Sequence, residues 1–490
     1  MFRGWMVAAL FALNLAHSDY FAPSHRLTGI GAARSEITPE VLAARTERMI
    51  QSQTFAIMRE SVALTGAERI TSPHLQQIFK KASLETGVPA PLIAAIAYLE
   101  SWGDSQAESP AGPKGIMQFA EATGRAAGLR IVYATRYKVV RTRQAVKKAN
   151  GRPGYRTITH RTPYSVKVRD DRFVAERAIF AAARYLARLR EKFGGQDWAV
   201  FAYHCGEGCV TEMLSLTEEA LGHKQTVTVP AMFFAASPAQ HRELYEAIER
   251  HMQRDYSPTY WFRVKRAEEL LNLYQTDRAA FRKLITEYRN PVNPNRRAND
   301  RLAVWLKTED LLYQSCDDLR RAQGKELVPV FEDPKYFGFS LNNLDQSTIT
   351  AVDAANRDLY KLASPAAVGT LAYIAFETRR LFDAAKPKGE RWAPLEVAEL
   401  VSTRDGPVEA GGRGRNLDFP AHCTGQVFDV DLSGMPRGER ECLSFILDEL
   451  GWDGYLGFIQ VTGDTLHIGC SPSSREFFAK VFQEATSIAR

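Results

Sequence analysis

Glu100 closes an apolar run, Pro91-Leu-Ile-Ala-Ala-Ile-Ala-Tyr-Leu-Glu100-Ser101, that is followed at once by Trp102-Gly103. Leu92, Ile96 and Leu99 recur at helical spacing, so the segment is predicted to be a buried helix that breaks at Gly103. A carboxylate in its last turn faces the negative end of the helix dipole among apolar neighbours, and both effects disfavour ionisation. A carboxyl that keeps its proton near neutral pH is the group a general acid requires. A second constellation lies near the other end of the chain. His422-Cys-Thr-Gly425-Gln-Val-Phe-Asp429 places an Asp seven positions after a His, and Asp464-Thr-Leu-His467 follows downstream.

Three short motifs follow one another in the first half: Glu100-Ser101, Gly115-Ile-Met-Gln-Phe119 and Ala202-Tyr203-His204-Cys-Gly206. The stretch Asp171 to Leu186 reads as a helix that precedes the last of them. Over roughly residues 70–215, their order and spacing resemble the lytic transglycosylases of the goose-lysozyme-like superfamily. The resemblance implies a mostly α, lysozyme-like domain that cleaves the MurNAc–GlcNAc bond of peptidoglycan without water and without a cofactor. Glu100 would protonate the leaving glycosidic oxygen and leave an oxocarbenium-like sugar. It would then act as base on the sugar's own C6 hydroxyl, closing a 1,6-anhydro ring, so one carboxyl serves where ordinary glycosidases use two. Ser101 and Gln118 would hydrogen-bond the sugar beside Gly115, Met117 would form an apolar wall, and Tyr203 would hold a hydroxyl near the acid. Core packing is the competing reading for Met117. Where the Ala-Tyr motif usually carries Asn, this chain has His204, whose imidazole can replace an amide donor and also titrates near neutrality.

With Ser402-Thr-Arg404 upstream, the C-terminal constellation resembles the zinc peptidases that join D-Ala-D-Ala carboxypeptidases, lysostaphin-type enzymes and hedgehog domains. The resemblance implies that His422, Asp429 and His467 hold Zn²⁺ and leave a fourth position open. Asp464 would take the proton of the attacking water, and Arg404 would stabilise the oxyanion or grip a substrate carboxylate. Many relatives use Glu where Asp464 stands. Some also carry a second His where this chain has Thr465. One site resembles a cutter of glycan strands and the other a cutter of the peptides attached to them. The reading is therefore an exported peptidoglycan hydrolase with two active sites. The alternative is a transglycosylase whose C-terminal module binds wall peptides without cutting them.

The elements that must position these residues are expected in a multidomain chain, since 490 residues exceed what one core organises. The expected fold is a mostly α lysozyme-like N-terminal domain with a helical extension, followed by a small α+β C-terminal domain of zinc-peptidase type. Residues 1–18, with Arg3 ahead of a short apolar stretch ending at Ala16, look like a secretory signal peptide. No other stretch could cross a membrane, and the mature chain is expected to have no integral membrane segment. Residues 19–70 are expected to be a helical brace on the first domain, 71–215 the transglycosylase domain and 216–328 a helical extension. The Pro- and Gly-containing stretch 329–345 reads as a linker, and 346–490 as the zinc-peptidase-like domain.

Residues 130–172 hold thirteen Lys or Arg against two Asp, a local charge of +11 in a chain whose net charge is +6. Polar–apolar alternation around Asn150-Gly151 reads as a β-hairpin inserted beside the groove. It could attract the carboxylates of peptidoglycan stems; nucleic acid is the competing use of such charge, but no nucleic-acid motif accompanies it. The expected partner is therefore peptidoglycan, both glycan strands and stem peptides. No oligomer signal is visible. Six Cys (205, 209, 316, 423, 442 and 470) permit disulfides without requiring them.

Overall fold

Helices start where the sequence supplies a cap. Thr38 leads α1 (Pro39–Met58), accepting a hydrogen bond from the Val41 N–H while Pro39 fills the first turn. The computed structural model describes residues 20–31, 34, 37–147, 152–222, 227–252, 257–289, 301–306, 312–331, 333–344, 352–405 and 419–488. The proposed signal peptide and the expected Asn150-Gly151 turn lie outside the described residues. The chain divides into two compact units. The smaller comprises Val62–Tyr203 and Ala267–Arg282; the larger comprises the rest, up to Ser61, His204–Arg266 and Lys283 onward.

The smaller unit holds α2 (Ala63–Ile70), α3 (Pro73–Thr86), α4 (Ala90–Ser101), α5 (Glu121–Ala126), two long strands, α6 (Ala175–Phe193) and most of α7 (Gln196–Cys205). Ser72 caps α3, which ends at Gly87 in the left-handed conformation. Leu92 to Tyr98 of α4 are buried all round, as a helix without a polar face must be. The strands β1 (Ile131–Lys147) and β2 (Pro153–Asp170) pair antiparallel from Ile131 opposite Asp170 to Lys147 opposite Pro153.

The larger unit continues with α8 (Glu207–Leu221), α9 (Val229–Ala235), α10 (Arg242–Met252), α11 (Tyr260–Thr276, whose second half belongs to the smaller unit), α12 (Arg278–Tyr288, whose part up to Arg282 belongs to the smaller unit), α13 (Arg301–Trp305) and α14 (Cys316–Ala322). Then come β3 (Val328–Pro329), α15 (Pro334–Phe337), β4 (Phe339–Ser340), β5 (Leu362–Ala363), α16 (Pro365–Ala385), β6 (Leu395–Glu399), β7 (Val427–Asp431), α17 (Arg437–Trp452), β8 (Leu456–Thr462), β9 (Thr465–Cys470) and α18 (Arg475–Ile488). Five strands form one sheet in the order β4-β6-β7-β9-β8, antiparallel except for the parallel pair β4 and β6. The buried helix α16 packs against α17 and α18. Gly369 permits that approach, because a Cβ there would lie 1.9 Å from the Phe478 carbonyl oxygen.

Two boundary expectations change. Residues 329–345 were expected to link domains, yet Phe339 and Ser340 pair with Leu395 and Glu396 inside the sheet. The Pro and Gly there are a helix start at Pro334 and a left-handed cap at Gly338. The expected brace 19–70 also splits: α1 belongs with the C-terminal residues. Arg45 on α1 is fully buried and reaches Glu449 at 2.9 Å and Asp453 at 3.0 Å, while Arg34 reaches Glu449 at 2.6 Å. Removing one partner from such buried pairs costs about 3–5 kcal/mol, so this network fixes α1 firmly on α17. No helix among the described residues is long and apolar enough to cross a membrane.

Candidate functional site

Glu100 sits in the last turn of α4, half-buried. The helix stops just after it because Trp102 takes a left-handed conformation, φ 54°, with its N–H bonded back to Tyr98 and Ala97. A non-glycine residue there costs about 1–2 kcal/mol, and packing has to hold it. The Trp102 ring stands edge-on to Tyr98 at 4.7 Å, and the Tyr98 hydroxyl donates to the Ala63 carbonyl. Helix end and carboxyl are thereby fixed together.

The segment 115–119 folds against that end. Gly115, φ 77°, carries no Cβ because one would lie 1.8 Å from the Arg172 carbonyl oxygen. Gln118 is also left-handed, φ 46°, and its amide nitrogen donates to the Gly115 and Ala107 carbonyls at 2.9 and 3.3 Å. Ser101 Oγ donates to the Ile116 carbonyl at 2.8 Å. Ser101 and Met117 are both buried, so they shape and hold this segment; the wall expected of Met117 is core packing.

Tyr203 comes from α7, and its hydroxyl donates to the Met117 carbonyl at 2.8 Å. Burial first, then the charge of Glu100 and the neighbouring Tyr185, hold that hydroxyl well above its ordinary range, so it stays an O–H donor. Glu100 is the one carboxylate among the groups acting on it. The rings of Phe119, Tyr185 and Tyr203 pack together with centroids 5.9–6.5 Å apart. Tyr185 was not singled out in the sequence, although its place in the helix before the Ala-Tyr motif was the available signal. His204, the next residue, belongs to the larger unit, where its ring stacks on Tyr260 at 4.1 Å.

In the C-terminal sheet, His422, Asp429 and His467 converge and are all buried. Asp429 on β7 lies directly opposite His467 on β9, and His422 comes from a 3-10 turn, Ala421–Thr424, that leads into β7. One carboxylate oxygen, Asp429 Oδ1, lies 2.9 Å from His422 Nε2 and 2.7 Å from His467 Nδ1. His422 Nδ1 meets the Leu400 carbonyl at 2.5 Å, which fixes the ring and leaves Nε2 turned to the group. Burial opposes protonation of His422, but the carboxylates of Glu399 and Asp429 outweigh it and push the ring up to about 9. Burial likewise opposes ionisation of Asp429, and the two imidazoles hold it well below the usual carboxylate range.

Two atoms of this group, Asp429 Oδ2 and His467 Nε2, are buried without a hydrogen-bond partner among the described residues. Such orphans cost about 1–3 kcal/mol each, and Asp429 Oδ2, on the carboxylate that both imidazoles face, is the one that a cation held by the group would satisfy. The donor set therefore fits a divalent metal. Asp464 does not join it. Its side chain is 52% exposed at the β8–β9 turn and pairs with Arg440 at 3.2 Å. The exposed Arg404 lies nearer, in the segment whose Ser402 N–H bonds the His422 carbonyl. All six cysteines are free thiols, with a side-chain hydrogen bond between Cys205 and Cys209.

Residues 77–151 and 155–225 match the model of the "Transglycosylase SLT domain" family. The chain is 33% identical over 132 residues to peptidoglycan transglycosylase gp16 of Escherichia phage T7, covering 27% of this chain and 8% of that protein. It is 44% identical over 154 residues to membrane-bound lytic murein transglycosylase F 2 of Alkalilimnicola ehrlichii, covering 30% of this chain and 25% of the relative. The chain thus spans a quarter or less of the length of these relatives. The segment that presents Glu100, Gln118 and Tyr203 is of the transglycosylase SLT type.

Proposed function

We propose that the smaller unit is a peptidoglycan lytic transglycosylase of an exported protein, with Glu100 as its single catalytic carboxyl. The observation that carries this reading is Glu100 beside Tyr203, at the end of a buried helix inside an SLT-type segment. Glu100 donates its proton to the glycosidic oxygen between MurNAc and GlcNAc as that bond breaks. The resulting carboxylate takes the C6 hydroxyl proton as O6 bonds to C1, so the 1,6-anhydro sugar forms and Glu100 regains its acid form. Tyr203 remains protonated and holds the 115–119 segment in place, with Gln118 keeping its turn. The basic hairpin, in the same unit, favours a substrate bearing stem-peptide carboxylates. Digestion of purified sacculi tests the reading: anhydro-muropeptides are expected from the unaltered chain. Glu100→Gln should lower their rate of release by at least about 100-fold, the usual scale for a lost general acid. Equal release by the two proteins ends the proposal.

A specific observation favours a second reading of the larger unit. We infer that His422, Asp429 and His467 hold a divalent metal, zinc by donor chemistry, because three buried donors converge and leave Asp429 Oδ2 a buried polar atom that a cation would satisfy. Bound there, the ion would supply Lewis-acid chemistry of the kind that serves amide hydrolysis. Cleavage of wall peptides also needs a proton acceptor at the group, and Asp464 is turned to solvent. A metal-bearing module that does not cut therefore accords better with the side chains than a peptidase. Peptide products from sacculi that vanish with a chelator would reverse that preference.

A further inference from the structure

Glu399 belongs to none of the motifs read from the sequence. It ends β6 directly opposite Asp429, which in turn lies opposite His467. Residues opposed across antiparallel strands share a face, so three neighbouring strands present Glu399, Asp429 and His467 in one row. His422 reaches the same row from its 3-10 turn, with Nε2 3.9 Å from Glu399 Oε2. Glu399 is 2% exposed, His422 6%, and Asp429 and His467 not at all. Burying a Glu to this extent is costly unless a charge answers it.

The face is covered. A Cβ on Gly469, two residues along β9 from His467, would meet the Leu302 side chain at 2.9 Å. One on Gly457 of β8 would meet Arg301 and Trp305 at 3.1 Å. Helix α13 therefore lies over the side of the sheet that bears the row. Catalytic zinc sites keep one position open to solvent or substrate, whereas structural sites are closed by four protein ligands. A divalent ion with two carboxylates and two neutral imidazoles carries no net charge, which suits a position this far from water.

We propose that Glu399 is the fourth ligand of the C-terminal metal group and closes it into a structural site joining β6, β7, β9 and the His422 turn. The proposal rests on the metal reading of His422, Asp429 and His467. The test uses the purified full chain loaded with zinc alone, following zinc content, competition with a chromophoric chelator and thermal unfolding. One zinc per chain and a lower Tm on chelation are expected. Glu399→Gln should weaken zinc affinity by at least about 10-fold, the floor for residues that tune a metal from outside its ligand set. Glu399→Asp, which keeps the charge, should fall between, and Asp464→Asn should bind as tightly as the unaltered chain. Zinc affinity unchanged in Glu399→Gln removes Glu399 from the site and leaves the three-residue reading standing. Failure of the unaltered chain to bind zinc ends both readings. A peptide-cleaving activity lost in Glu399→Gln at unchanged zinc affinity makes Glu399 a catalytic base and also overturns the proposal.

Discussion

At the scale of single residues, the glycan site depends on contacts that a short motif can encode. Gly115 is required by the Arg172 carbonyl oxygen, 1.8 Å from where a Cβ would stand, and by its positive φ. Gly115→Ala should therefore destabilise the smaller unit by about 4 kcal/mol or more, among the larger single-site effects, measurable as a lower Tm. Tyr203→Phe leaves the Met117 carbonyl without its donor and should cost about 1–3 kcal/mol, with slower release of anhydro products from sacculi. The meeting of the segments that carry Glu100, Gln118 and Tyr203 was legible because each is its own local motif, and those motifs fold onto one another. Asp464 was misread for an equally physical reason. It sits in the turn before β9 begins at Thr465, outside the strand that carries His467, and its exposed carboxylate pairs with Arg440. Glu399 could not be read at all, since only cross-strand register brings it opposite Asp429. The run Leu395–Leu400 carries two Glu, 396 and 399, and nothing in the sequence sets the second apart from the first.

At the scale of elements, the paired strands were legible from alternation over 137–143 and 155–167, but they run longer than that pattern, Ile131–Lys147 and Pro153–Asp170. Arg136, Lys138, Arg141, Arg143, Arg156 and Arg161 are exposed and make no ion pair among the described residues. Tyr137, Tyr155 and Tyr164 are exposed beside them. Replacing these six by Ser should weaken retention on sacculi by about 10-fold at low salt, a difference that added salt erases by screening. Pull-down of the protein with sacculi across a salt series checks this. The stretch 329–345 shows the opposite case. Its Pro and Gly do mark chain reversals, but in composition a reversal within a domain looks the same as a linker between domains.

At the scale of the whole molecule, acid groups in the larger unit set how stability responds to pH. Burial first, then Glu249 and Glu449, push Asp448 up to about 7; burial and Glu441 push Glu249 up to about 7. Both carboxyls hold a proton more tightly in the folded state. Their favourable contribution is complete below the unfolded range near pH ~4 and is lost as pH rises through about 7. Thermal scans should therefore give a higher Tm for the larger unit at pH 5.5 than at pH 8, about, and Asp448→Asn should flatten that slope. The partition into units was the least legible feature, because it depends on which distant segments meet and not on any local composition.

The return of Ala267–Arg282 to the smaller unit has a consequence for anyone who would cut the chain down to its first 203 residues. Ala267, Leu270, Leu271, Tyr274 and Phe281 are buried, and Tyr274 packs edge-on against Phe281. At about 1.5–3 kcal/mol for each large apolar side chain, their loss would cancel much of the stability of an ordinary domain. A fragment ended shortly after Tyr203 should therefore aggregate, and a synthetic peptide spanning the missing helix should rescue it in trans. The smaller unit is thus assembled from two stretches of polypeptide that are translated apart, and the first should not mature until the second has emerged.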